Sequence, residues 1–240
     1  MDLVNKSFEN LVHHTYLTEN VSILLYSLIR MYRPLIALEI GAGYSTLCIT
    51  KAFDDIQKEK LSLPKESHLF NNWFVRDSLH SGLEYKPKLI TVDCTQFDGM
   101  NARNKTINQK NEFNKIVELL EQLDLKKFVD LRVDLASSVF LNLDKDDTMY
   151  DFVWIDAGDG KEFPEVFDLL FPKLNPGAII AFHNVVTTVT GKAFLFEMAL
   201  RMKTSNQFEM LTLNEPHKKD QNSIVLFKKN MRYPSHHLTS

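Results

Sequence analysis

Five short apolar runs recur along this chain, at residues 35–40, 88–92, 128–133, 152–155 and 178–182, with helical stretches between them. Each run is nearly continuous rather than alternating, which is the pattern of a strand buried on both faces. Strands of that kind, separated by helices, imply a parallel sheet covered on both sides, because each return to the same edge needs a crossover. Helices are predicted at residues 45–53, 113–123 and 163–170, the second with Phe113, Ile116, Val117, Leu119 and Leu120 on one face. An earlier helix follows Thr18, a capping residue, and presents Val21, Leu24, Leu25, Leu28 and Ile29 to one side before Pro34 ends it. The turn Asn175-Pro176-Gly177 introduces the fifth run, and residues 208–213 and 223–227 read as a final strand pair joined through 214–221.

A length of 240 residues suits one α/β domain, with residues 1–33 as a helical cap and residues 54–86 as an insertion longer than an ordinary connection. The insertion carries Trp73, Phe74 and Tyr85 among polar residues. Together with His13, His14 and Tyr16 these could line a substrate lid, or could equally form a satellite core or the contact of a homodimer. A formal net charge of −3 gives nothing that would recruit nucleic acid or an anionic membrane. The longest apolar run, residues 21–29, is too short to cross a bilayer, and no basic segment followed by an apolar stretch marks a signal peptide. Cys48 and Cys94 are the two cysteines, each in or beside a core element. Read as small buried hydrophobes, they agree with a cytoplasmic location. His236 and His237, in the tail, read as incidental.

Residues 39–46, EIGAGYST, stand directly after the first strand and directly before a helix. Gly41 and Gly43 allow a sharp turn and a close backbone approach to a ligand, and the helix start offers N–H donors. A dinucleotide loop wants a third glycine where this chain has Thr46, which counts against NAD or FAD. Glu39 suits a cationic group better than a phosphate. A tight strand-to-helix turn with no ligand is the plainer alternative.

With the segments downstream, EIGAGYST resembles the first motif of class I S-adenosylmethionine-dependent methyltransferases, and the resemblance runs from about residue 20 to 228. LITVD (89–93) is similar to that family's second strand, which implies Asp93 on the ribose hydroxyls. RVDLASSV (132–139) resembles the segment bordering the adenine, which implies Asp134 or a neighbouring backbone group there, although Asp134 could equally cap a helix. YDFVWIDAGD (150–159) and LNPGAIIAFHNV (174–185) resemble the fourth and fifth strand motifs. The fold implied is a Rossmann-like, doubly wound, seven-stranded and mostly parallel sheet with a C-terminal antiparallel pair. The cofactor implied is S-adenosylmethionine, held by Glu39, Gly41, Gly43, Ser45, Asp93, Asp134 and Asp156.

Within the class the chain is most similar to catechol-type and related small-molecule O-methyltransferases. Those hold a divalent metal with an Asp after strand four and an Asp-Asn pair after strand five. Asp156 matches the first ligand and Asn184 the last, but His183 takes the middle place. Three readings stay open. Asp156, His183 and Asn184 could ligate a metal that acidifies an acceptor hydroxyl. His183 could be a general base oriented by Asp156, or it could be structural. Where metal-dependent relatives carry a lysine three residues after the strand-four Asp, this chain has Asp159, with Lys161 two further on. Asp159 could serve as an alternative base or ligand, or be an exposed loop residue. The expected activity is methyl transfer to a hydroxyl of a small molecule. The alternatives are N- or C-methylation of a metabolite or peptide without metal, and a cofactor-binding scaffold with no turnover.

Overall fold

Burial on both faces decides where the strands go. A computed structural model describes residues 19–62, 85–93, 109–134, 147–157, 160–218 and 222–231. In it, β1 (Ile36–Ile40) lies mid-sheet between β2 (Lys88–Asp93) and β4 (Tyr150–Ile155), and every residue of β1 from Ala37 on is buried. β3 (Val129–Val133) extends the sheet beyond β2, and β5 (Leu174–His183) pairs with β4. All these pairings are parallel. β6 (Phe208–Asn214) and β7 (Ser223–Lys229) close the other side, with β7 antiparallel to both β5 and β6. The order is β3-β2-β1-β4-β5-β7-β6, the expected seven-stranded sheet with its terminal antiparallel pair.

One apolar layer lies under α1 (Glu19–Tyr32), α2 (Tyr44–Ser62) and α3 (Gln109–Gln122), with Leu25, Ile29, Phe53, Ile56 and Leu120 packed on Ala37, Leu89, Phe152, Trp154 and Ala181. The opposite layer lies under α4 (Phe163–Leu170) and α5 (Val189–Ser205), against Leu38, Ile40, Ile155, Ile180 and Phe182. There Phe163, Phe167, Phe182, Phe194, Phe208 and Phe227 meet mostly edge to face, the favoured arrangement of aromatic quadrupoles. Asp151 ties the amino ends of three strands. It accepts the N–H groups of Leu35 (2.8 Å) and Ile36 (3.1 Å) on one oxygen and the Asn175 amide (2.7 Å) on the other.

β5 begins at Leu174, so the expected turn Asn175-Pro176-Gly177 lies within the strand, and two helices also differ from expectation. α2 runs nine residues further than residue 53, because Ile49, Ala52, Phe53 and Ile56 keep a helical stripe against the core. Lys58 paired with Asp54, four residues away, supports the added turns. α5 was not anticipated at all. It is capped by Thr188, whose hydroxyl accepts the Gly191 N–H at 2.9 Å, and buries Phe194 and Met198. Phe196 and Leu200 point outward, so the apolar residues encircle the helix and no one-sided stripe shows in the sequence. His13, His14, Tyr16, Trp73, Phe74, Cys94, residues 135–139, Asp159, His236 and His237 lie outside the described residues. Among the described residues no helix is long and apolar enough to cross a membrane.

Phe194 touches four other rings of its layer. Phe194→Ala should lower the unfolding free energy by about 3–5 kcal/mol, read from urea midpoints. A loss below about 1 kcal/mol would mean that the aromatic layer is not a packed unit.

Candidate cofactor and active site

Sheet register assembles the site. Thr91, Glu39, Trp154 and Ala181 are direct partners across β2, β1, β4 and β5, so their side chains share one face. Two residues further along each strand stand Asp93, Gly41, Asp156 and His183. The chain stays in step there, since the Gly41 N–H reaches the Val92 carbonyl (2.9 Å) and the Asp156 N–H reaches the Ile40 carbonyl (2.9 Å). Four positions singled out in the sequence therefore form one row at the carboxyl edge, where open α/β sheets bind ligands.

Beneath this row Glu39 is fully buried. Its Oε1 accepts the Ser45 hydroxyl (2.6 Å), and its Oε2 accepts those of Thr46 (2.7 Å) and Thr91 (3.0 Å). Burial raises its pKa to about 7, overriding the hydroxyls, which favour the ionised form; the negative charge of Asp156 adds to the rise. Ser45, expected at the cofactor, thus spends its hydroxyl on Glu39. Cys48, one turn along α2, is buried, and burial pushes its thiol up to about 12, as befits an inert core cysteine.

The glycine loop is held from several sides. Gly41 has φ +99°, and a Cβ there would sit 2.9 Å from the Asp156 carbonyl oxygen, so only glycine fits. The Ala42 N–H donates to Asp93 Oδ2 (2.8 Å), and the Gly43 N–H donates to the Thr46 hydroxyl (3.0 Å), whose own O–H donates a hydrogen bond to Glu39. The amides of residues 41, 42 and 43 are therefore engaged within the protein, whereas a pyrophosphate-binding loop would aim such amides at its ligand. Thr46, in the place of a third glycine, is the reason for one of these bonds. A Cβ built at Gly43, by contrast, meets nothing within 4 Å, so open space lies beside that residue. Asp134, exposed, follows β3 next to Asp93 and donates its N–H to the Asp93 carbonyl (3.0 Å).

At the ends of β4 and β5, His183 Nδ1 and Asp156 Oδ1 are 2.7 Å apart. The His183 side chain is only 2% exposed and lies against Trp154 with ring centroids 5.6 Å apart, while the Asp156 side chain is 28% exposed. Asp156 thus faces solvent and His183 stands behind it. Asn184 adopts φ +58°, donates its N–H to the Ser223 carbonyl (2.7 Å), and directs its side-chain oxygen to the Thr187 hydroxyl. Among the described residues no group of three or more His, Cys, Asp or Glu could hold a metal ion. The donor set named by sequence is turned inward: His183 bonds Asp156, and Asn184 bonds its own turn.

Sequence reasoning passed over Thr91, Trp154 and Ser223. Thr91 completes the Glu39 cage, Trp154 backs His183, and Ser223 fixes the turn after β5 by bonding the Val186 N–H (2.9 Å) and the Asn184 N–H. A buried hydroxyl two residues before Asp93 was the one available signal, and for Thr91 alone. Tyr85, read as lining a lid or packing a satellite core, lies at the amino edge. It packs edge to face on Phe53 (6.4 Å) and donates its hydroxyl to the Pro34 carbonyl (2.8 Å).

Comparison with known proteins agrees with this fold. The family model described as a methyltransferase domain matches residues 38–185, more than half of the chain. No curated protein matches the sequence. Among solved structures, the Bacillus cereus O-methyltransferase in complex with S-adenosylhomocysteine superposes with a TM-score of 0.63 at 16% identity, covering 96% of this chain and 91% of its own. The O-methyltransferase TomG of Streptomyces achromogenes, solved with S-adenosylmethionine, gives 0.59 at 17% identity, covering 88% and 80%. The Podospora anserina methyltransferase PaMTH1 gives 0.57 at 13% identity, covering 96% and 88%. With the loop, the row of acidic residues and the sheet order in place, the chain belongs to the methyltransferase-domain family and has the class I S-adenosylmethionine methyltransferase fold.

Proposed function

We propose that this protein transfers the methyl group of S-adenosylmethionine to a hydroxyl of a small molecule, with Asp156 receiving the acceptor's proton and His183 orienting Asp156. The observation that carries the reading is the 2.7 Å Asp156–His183 contact in the same row as the glycine loop. Solved relatives of the same fold are O-methyltransferases crystallised with this cofactor or its product. The cofactor supplies an already activated sulfonium methyl group, so the protein's task is positioning and proton removal.

The residues present suit that cofactor. Open space at Gly43 leaves room for its methionine end, Asp93 offers a carboxylate to the ribose, and Asp134 borders the adenine side. With Nδ1–H donated to Asp156, His183 holds the carboxylate in place, and the exposed part of Asp156 meets the acceptor hydroxyl. This inverts one of the three readings left open by the sequence, the one in which histidine is the base and aspartate its support. Inward-turned His183 and Asn184 support a route without a metal ion. We also propose that the enzyme is cytoplasmic, a reading supported by a chain with only two cysteines, of which Cys48 is a free thiol.

Gly43→Val should abolish S-adenosylhomocysteine binding in calorimetry while circular dichroism stays unchanged. Retained binding would remove the loop from the cofactor site. Asp93→Ala should weaken binding by about 1–3 kcal/mol through lost charge-assisted hydrogen bonds and a loosened Ala42 amide. Asp156→Asn should cut kcat by about 10²–10⁴ with cofactor affinity nearly intact, and His183→Gln should cut it less. Turnover should survive chelation. Activity lost to a chelator and restored by Mg²⁺ or Mn²⁺ would instead make Asp156 a metal ligand.

A further inference from the structure

We propose that the outer face of α5 pairs with a second copy of this chain, the two helices lying parallel so that Lys192 of each protomer meets Glu197 of its partner. The pairing does not depend on the methyltransferase chemistry above.

The inner side of α5 is spent on the core. Phe194 and Met198 are buried, Leu195 and Met202 pack against the phenylalanine layer, and Arg201 ties the helix to Asp168 of α4. A helix packed on one side alone carries polar residues on the other. Here Val189 is 84% exposed, Phe196 69% and Leu200 49%, with Ala193 exposed among them. Single apolar side chains at a surface need no explanation. These four stand at intervals of four, three and four residues, which sets them in one line along the helix. That spacing is the seam of a two-stranded coiled coil.

Charge selects the occupant and its direction. Lys192, exposed, flanks the seam on one side, and Glu197, with a side chain 44% exposed, flanks it on the other. In a parallel pair, a residue on one flank meets the residue five positions later on the opposite flank of its partner. Lys192 and Glu197 are five apart. Two-fold symmetry makes that ion pair twice, and so closes both edges of a strip in which Val189, Ala193, Phe196 and Leu200 each meet their own copy. An antiparallel pair would instead bring each flank against itself, with Lys192 and Lys203 repelling the same lysines of the partner. Glu197 also accepts a bond from Arg201 of its own helix, and a carboxylate has acceptor sites for both. One helix pair covers less than the roughly 800 Å² per protomer of a standard interface, so the dimer is weak and its population follows concentration.

Sedimentation velocity of the full chain, from about 2 to about 200 µM, tests this. The wild-type coefficient should rise with concentration toward that of a dimer. Phe196→Glu should weaken association by at least about tenfold. Lys192→Glu and Glu197→Lys should each weaken it by about tenfold, since each turns two ion pairs into two like-charge contacts. An equimolar mixture of these two variants should associate again, because each supplies the charge the other lacks. A wild-type chain that stays monomeric throughout the range would overturn the proposal. So would a Phe196→Glu variant that dimerises like wild type, or a mixture that associates no better than its components. Circular dichroism checks folding. If Glu197→Lys, which also loses the Arg201 bond, does not fold, Phe196→Glu and Lys192→Glu decide.

Discussion

Parallel pairing of β2, β1, β4 and β5 in one register is the constraint on which the site depends. Because side chains alternate along a strand, the in-step partners Thr91, Glu39, Trp154 and Ala181 place Asp93, Gly41, Asp156 and His183 together one pleat later. A slip of one residue in any strand would send its member of the row to the opposite face. Two features resist such a slip. Asp151 clamps the amino ends of β1, β4 and β5, and the phenylalanine layer on the far face interlocks β5 and β7 with α4 and α5.

The same register sinks a carboxylate into the core. Glu39 occupies a position that packing alone would fill with an aliphatic residue, and three hydroxyls partly offset its desolvation. In return it organises the loop, since Thr46 links Glu39 to the Gly43 amide and thereby sets the turn that leaves Gly43 open. The stability cost of the buried acid and the shape of the cofactor site are one feature seen from two sides.

The opposite end of the row depends on a different support. His183 is held between Trp154 and Asp156, and the chain beyond it is turned sharply by Asn184 in a left-handed conformation, bonded to Ser223 at the start of β7. The antiparallel strand pair at the end of the chain therefore does more than finish the sheet, because Ser223, the first residue of β7, fixes the turn that follows His183.

Much of this was legible in the amino-acid order. The strands followed from continuous apolar runs, α3 from its stripe, and the loop from glycines set between strand and helix, all signals carried by neighbours in the chain. α5 was hidden because its outward Phe196 and Leu200 erase the periodicity, and the end of α2 because its lysines and acids look like a loop until they pair on a helix. The partners of Glu39 were beyond reach, since Thr91 lies 52 residues away and joins it only through strand pairing. So was the order of Asp156 and His183. Sequence alone determined which chemical groups arrive at the carboxyl edge. Tertiary structure decided which of them faces solvent, which is buried, and which is spent on another, because burial and hydrogen-bond partnership are set by contacts between strands that the chain order does not contain.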